Sequence, residues 1–193
     1  MILRAGLMLV LGAGFVQAQD ATKQTAPAIA GLMQSLPEKT LKRLRGAPDA
    51  FLQDAAGLIY GFGVDGGIDL AGVDAFVAAE RARVRAATIE RYLAADLNND
   101  GDVSSDEVAV LAHAAAAGKR GVLLLGHDLS DANKDGVMAA AELRSFAQAA
   151  ALKAMSDAEV DALRGFLVFD LNADGIVAMQ EVAAGVTAML DGA

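Results

Sequence analysis

The chain has 193 residues, 54% hydrophobic and only 5% aromatic, with no cysteine, enough for one sizeable core or two small ones but with no disulfide staple. Its 16 basic and 25 acidic residues give a net charge of −9, which argues against nucleic acid and anionic lipid as partners and suits a cation. Alanine supplies much of the apolar content, and the bias is helical.

The first 18 residues, MILRAGLMLVLGAGFVQA, hold one positive charge, Arg4, then an apolar run over 5–16. Val16-Gln17-Ala18 follows as a small-residue cleavage site. The stretch predicts a secretory signal peptide, residues 1–18, cut after Ala18. The apolar run is short of the ~20 residues that span a bilayer, which disfavours an uncleaved anchor. A single arginine argues against a twin-arginine leader, and a lipoprotein would need a cysteine. No second apolar run reaches spanning length, so no stable membrane insertion is expected after cleavage. The predicted location is periplasmic or secreted.

Residues 19–47 form an N-terminal segment with one helix. Ser35-Leu36-Pro37-Glu38 reads as its start and Gly46-Ala47-Pro48 as its stop. Its basic stretch EKTLKRLR reads as an amphipathic turn packed on the first half of the protein, or, more sharply, as a partner or lipid-headgroup contact. Next comes a glycine-rich stretch, GFGVDGGIDLAG, residues 61–72. A helical pattern follows, with Ile89, Tyr92 and Leu93 on one face, and leads into DLNNDGDVSSDE, residues 96–107. After it Val108, Leu111 and Ala112 share a face. AAAAGKRG, residues 114–121, has little periodicity and is expected to connect two halves. DANKDGVMAAAE occupies 131–142. Ser156 and Glu159 have capping-box spacing, and Val160, Leu163, Phe166 and Phe169 form the apolar face of the helix they open. DLNADGIVAMQE occupies 170–181, followed by Val182, Val186 and Met189 on one face.

The three acidic stretches fit D-x-[DN]-x-[DN]-G-x5-E. Each alternates oxygen donors, a crowding that is costly unless a positive charge sits among them. Their glycines, Gly101, Gly136 and Gly175, are 35 and 39 residues apart, the period of a reused supersecondary unit. One step of 35 back from Gly101 is Gly66. There Asp65-Gly66 and apolar Ile68 are kept, but Gly61, Gly63 and Gly72 stand where ligands would be. The competing reading is a set of Asp/Asn turns without metal; the repeated glutamates and the period oppose it.

Over roughly residues 49 to 191 the pattern resembles the EF-hand calcium-binding family. The resemblance implies an all-α fold of two paired helix-loop-helix lobes, with short two-residue β bridges between paired loops. One pair would span 48–117, its first loop degenerate, and the other 118–193. It also implies about three Ca²⁺ ions. Calcium takes six to eight oxygens, from loop positions 1, 3 and 5, the position 7 carbonyl, position 9 often through water, and a bidentate acid at 12. The first set is then Asp96, Asn98, Asp100, the Asp102 carbonyl, Ser104 and Glu107. The second is Asp131, Asn133, Asp135, the Val137 carbonyl and Glu142. The third is Asp170, Asn172, Asp174, the Ile176 carbonyl and Glu181. Ala139 and Ala178, at position 9, offer no side-chain oxygen. The family bridges paired loops at position 8, which would join Ile68 to Val103 and Met138 to Val177. One departure stands out: His127 and Ser130 occupy places before Asp131 where the family has apolar residues. Asp128 is an alternative start there, but only Asp131 keeps the spacing to Gly136 and Glu142.

Other features read as ordinary. His113 and His127 lack a ligand spacing and read as surface or partly buried histidines. The glycines of 61–67 are not followed by Lys-Ser/Thr, so they are no phosphate loop. No nucleophile–base–orienter set can be assigned, and no enzyme activity is expected. The expected function is calcium binding in an exported protein, as a calcium-stabilised structural or buffering protein. The alternative is a sensor exposing an apolar groove to an unidentified protein partner, with Met138, Met155, Met179 and Met189 as its adaptable surface. Exported material is expected to begin at Gln19 when sequenced by Edman degradation; a membrane-bound chain retaining Met1 would refute the cleavage site.

Overall fold

The computed structural model describes Gly31 and residues 36–191. The predicted leader and its cleavage site lie outside the described residues, as does most of 19–35. The order is α1 (Glu38–Gly46), α2 (Pro48–Phe62), β1 (Gly67–Ile68), α3 (Leu70–Leu93), β2 (Val103–Ser104), α4 (Ser105–Ala114) and α5 (Ala117–Ser130). Then come β3 (Val137–Met138), α6 (Ala140–Ala154), α7 (Asp157–Arg164) with a 3-10 turn at Gly165–Phe169, β4 (Val177–Ala178) and α8 (Met179–Asp191). Among the described residues no helix is long and apolar enough to cross a membrane.

Local chemistry sets many of these boundaries. Glu38 lies in the first turn of α1 and Arg43 and Arg45 in the last, each charge at the helix end it favours. Pro48 opens α2, where its missing N–H costs nothing. Asp69 caps α3, accepting from the Gly72 amide at 2.8 Å. Ser104 with Glu107, and Ser156 with Glu159, form capping boxes on α4 and α7.

The loops pair differently from the sequence expectation. α3 runs 24 residues without a break, about 36 Å at 1.5 Å per residue. It leaves loop 61–72 at one end and delivers loop 96–107 at the other, so these neighbours in sequence cannot meet. The expected pairs Ile68 with Val103 and Met138 with Val177 do not form. Instead β1 pairs antiparallel with β4, setting Ile68 opposite Val177. β2 pairs antiparallel with β3, setting Val103 opposite Met138. The pairing is nested, outer loop with outer and inner with inner.

The expected connection at 114–121 is corrected too. Only Ala115 and Ala116 separate α4 from α5, and Gly118, Lys119, Arg120 and Gly121 lie inside α5. Arg120 turns back and donates to the carbonyls of Ala112 at 3.0 Å and Ala115 at 3.4 Å, satisfying the end of α4. This tight helical hairpin folds the two inner units onto each other.

Two hydrophobic cores follow from the nesting. The outer core holds Ile68 and Val177 with Phe51, Ile59, Phe166, Phe169, Val182 and Met189. Phe169 packs on Phe51 and Phe166 at centroid distances of 5.8 and 5.5 Å. Leu36 and Leu44 enter this core, so α1 packs where the first and last units meet rather than on the first half alone. The inner core holds Tyr92, Val103, Val108, Leu123, Met138 and Leu143. The long helices join the two cores. Arg81 on α3 donates to the Met155 carbonyl at 2.8 and 3.2 Å, at the end of α6, and Arg164 donates to Asp74 at 2.9 Å.

Gly126 on α5 is a tight point of the inner core. A Cβ there would stand 1.8 Å from the Tyr92 hydroxyl, and Tyr92 is only 1% exposed. The ring cannot swing aside without opening the core. Gly126→Ala is expected to destabilise the protein by about 1–3 kcal/mol, the usual cost of overpacking. Chemical denaturation checks it, and an unchanged midpoint would refute it.

Candidate metal centre

Loops 96–107, 131–142 and 170–181 close in the same way because the same residues recur. In the first, Asp96 Oδ1 and Oδ2 accept from the amides of Asp100 and Gly101 at 3.2 and 3.0 Å. Asn98 Oδ1 accepts from the Asp100 amide at 2.8 Å, and its Nδ2 donates to Asp100 Oδ2 at 2.8 Å. Asp100 Oδ1 accepts from the Asp102 amide at 2.9 Å. Glu107 ties the two ends of the loop together. Its Oε1 accepts from the amides of Leu97 and Asn98 at 3.0 and 3.3 Å, and its Oε2 from the Ser104 amide at 2.9 Å.

The second loop repeats this with Asp131 accepting from Asp135 and Gly136, Asn133 and Asp135 linked to each other, and Asp135 accepting from Val137. Glu142 accepts from the Ala132 and Ala139 amides at 2.9 and 3.0 Å. The third does so with Asp170, Asn172 and Asp174. There Glu181 accepts from Leu171, Asn172 and Ala178 at 2.9, 3.1 and 2.9 Å. Each loop also turns through two left-handed residues. Asn99, Lys134 and Ala173 have φ of 59°, 62° and 58°, and Gly101, Gly136 and Gly175 have 88°, 85° and 91°. For alanine and lysine that conformation costs roughly 1–2 kcal/mol.

In each loop the first, third and fifth side chains thus close one turn, and the twelfth ties the two ends of the loop. Asp102, Val137 and Ile176, selected for their carbonyls, stand at or just before the bridging strands. Ser104 caps α4 and its hydroxyl donates to Glu107 Oε2 at 2.8 Å. The Ser104 backbone and side-chain hydrogen bonds, with those from Leu97 and Asn98, hold the Glu107 carboxyl below its usual range. That acid is accordingly ionised at neutral pH. Ala139 and Ala178 lack the oxygen that Ser104 supplies.

Among the described residues, no group of three or more His, Cys, Asp or Glu side chains that could hold a metal is found. The loop carboxylates are turned to their own amides instead. Fit to a cation rests on donor chemistry. A carboxylate has about four lone-pair sites, so the first- and fifth-position Asp carboxylates and Glu142, each accepting two bonds, retain capacity. Glu181 accepts three and Glu107 four, which a cation would have to displace. Each loop offers three carboxylates and one amide oxygen, the all-oxygen set a hard cation takes.

Loop 61–72 solves the closure problem without ligands. α2 continues to Phe62, through the place of the second loop residue. Asp65 and Gly66, with φ of 55° and 88°, then make a tight Asp-Gly turn of the hairpin kind. The Val64 amide donates to the Gly67 carbonyl at 2.9 Å and the Gly67 amide to the Val64 carbonyl at 3.2 Å. Two of the glycines at ligand places are contact points. A Cβ on Gly63 would lie 2.2 Å from the Gly67 carbonyl oxygen, and one on Gly72 would lie 2.6 Å from the Phe62 carbonyl oxygen.

Three contributions were invisible in the sequence. His127 and Ser130 are buried at 6% and 5% exposure, in places expected to be apolar. His127 Nε2 lies 2.9 Å from the Val103 carbonyl on β2; a carbonyl only accepts, so Nε2 carries the proton. Ser130 donates to the His127 carbonyl at 2.8 Å. α5 ends at Ser130, so Asp131 begins the loop and no register shift toward Asp128 occurs. Finally, Asp102 Oδ1 accepts from the Ala140 amide at 2.9 Å, capping α6 from the neighbouring loop where Ala139 cannot.

Comparison of the chain with known protein families, characterised proteins and solved structures found no match.

Giving loop 61–72 a twelfth-position acid by Gly72→Glu is expected to lower stability, because the new Cβ meets the Phe62 carbonyl and Ile68, and to add no metal site, because Gly61 and Gly63 still offer no ligand. Thermal unfolding and native mass spectrometry check it; a variant binding one more metal ion than the parent would refute it.

Proposed function

We propose that this is an exported calcium-binding protein of the EF-hand kind, with no catalytic role. About three Ca²⁺ ions occupy loops 96–107, 131–142 and 170–181, and loop 61–72 serves as a metal-free partner to the last. The helix-loop-helix units pair as two nested lobes. One observation carries this reading: three loops of identical donor pattern close through the same hydrogen bonds, each ending in a glutamate that spans the loop. The two oxygens of that glutamate suit bidentate binding of calcium over the smaller, octahedral magnesium.

The ions act mainly as a staple or buffer. At a free concentration ~100 times the dissociation constant, each site adds about 2.7 kcal/mol of stability. Two or three such sites rival a typical domain's total of roughly 5–15 kcal/mol. Without cysteine, no disulfide supplies this. The sensor reading draws support from α5, where Val122, Leu125 and Leu129 are 54%, 59% and 64% exposed along one side. It loses support from Met138 and Met189, buried in the two cores at 0% and 1% exposure.

Native mass spectrometry is expected to find about three calcium ions on the mature chain. Glu107→Gln, Glu142→Gln and Glu181→Gln are each expected to remove or weaken one. Chelation should lower the melting temperature strongly, and calcium should reduce hydrophobic-dye binding. A wild-type chain without calcium refutes the proposal; unchanged stability with increased dye binding selects the sensor.

A further inference from the structure

We propose that Asp102 and His127 are positioning residues that couple the two inner loops, so that a cation in loop 96–107 strengthens binding in loop 131–142, and the reverse. The inference rests on the reading of these loops as calcium sites. Asp102 holds the far end of loop 131–142 from the neighbouring loop, and His127 ties its near end to that loop.

Asp102 works at two places at once. Its carbonyl is the position 7 donor of its own loop. Its carboxylate accepts from the Ala140 amide at 2.9 Å, in the first turn of the helix that carries Glu142. Fixing the Asp102 backbone around an ion therefore fixes the cap that orients the twelfth ligand next door. His127 works at the other end. Its Nε2–H donates to the Val103 carbonyl, one residue beyond Asp102. Its own carbonyl accepts from the Asp131 amide at 3.0 Å, so the ring anchors the residue that holds the first ligand. A return tie runs from Ser105, whose amide and hydroxyl donate to the Gly136 carbonyl at 2.9 and 2.8 Å.

The outer pair lacks these devices. Phe166, apolar and in the outer core, stands four residues before Asp170 as His127 does before Asp131. Gly67 and Ile176 stand at the place of Asp102 and carry no polar side chain. Loop 170–181 therefore behaves as a solitary site beside a metal-free hairpin.

The test uses the full mature chain carrying Glu181→Gln, so that calcium titration calorimetry reports the inner loops alone. Adding Glu107→Gln is expected to weaken binding at 131–142 by about 5-fold or more, the lower end of common coupling between sites. With Asp102→Ala or His127→Phe also present, adding Glu107→Gln should change that affinity by less than about 2-fold. Asp102→Asn and His127→Gln keep an acceptor and a donor and should restore the coupling. A merely structural role would lower affinity with and without Glu107→Gln and leave their ratio intact, which overturns the proposal. So does a parent that binds both ions with no coupling. If His127→Phe fails to fold by circular dichroism, Asp102→Ala decides alone. A wild-type chain that binds no calcium overturns the loop reading itself, and the proposal with it.

Discussion

A continuous helix cannot bring its own two ends together. α3 imposes that constraint on the whole molecule. Its 24 residues contain neither proline nor a turn signal, so loops 61–72 and 96–107 are held apart and each must find a partner elsewhere. α6 and α7 return along the molecule in the opposite sense, bound to α3 through Arg81 and Arg164. The two-residue connection between α4 and α5 closes the inner pair at one end. The outer pair closes at the other, where Leu36 and, from α1, Leu44 add to the core. The nested bridges and the two cores all follow from the length of one helix.

Loop 61–72 and its three relatives address the same physical difficulty differently. A chain leaving one helix and starting another must turn sharply and satisfy the exposed amides at the turn. The acidic loops do this with carboxylate and amide side chains that accept from the loop's own amides. Loop 61–72 does it with backbone alone: a two-residue turn whose flanking amides and carbonyls bond to each other. The space that ligands would fill is taken up by close approach of Gly63 to Gly67 and of Gly72 to Phe62. Its apolar position, Ile68, still faces Val177 across the bridge. What is preserved is the bridging strand, which the opposite loop needs for its shape.

Much of this was legible in the sequence. The side chains that close the three loops, the glycines at the turn and the capping box of Ser156 are local patterns, and local patterns fold locally. Partner choice was not legible, because a period of 35 residues fits consecutive and nested pairing equally well. The deciding signal was the absence of a break between Gly72 and Tyr92, which is harder to notice than a cluster of glycines. That cluster, at Gly118 and Gly121, misled in the other direction, since tertiary packing overrides the low helix propensity of glycine. His127 looked ordinary because its partner, the Val103 carbonyl, is 24 residues away and is defined only by the strand pairing. Asp102 was selected for its carbonyl; its side chain's role depends on a neighbouring loop that sequence spacing could not place beside it.

The nesting also makes the two bridges unequal in loop-closure cost. Val103 and Met138 pair across a short stretch of chain. Ile68 pairs with Val177, near the end of the described chain. Contacts of such long separation carry a loop-closure cost before they return any stability. Closing the inner lobe first shortens the effective gap, because it draws α3 and α6 side by side and sets the far ends of the helices near each other. The inner bridge therefore closes at the lower entropic cost, and the outer bridge costs less to close once the inner one has formed.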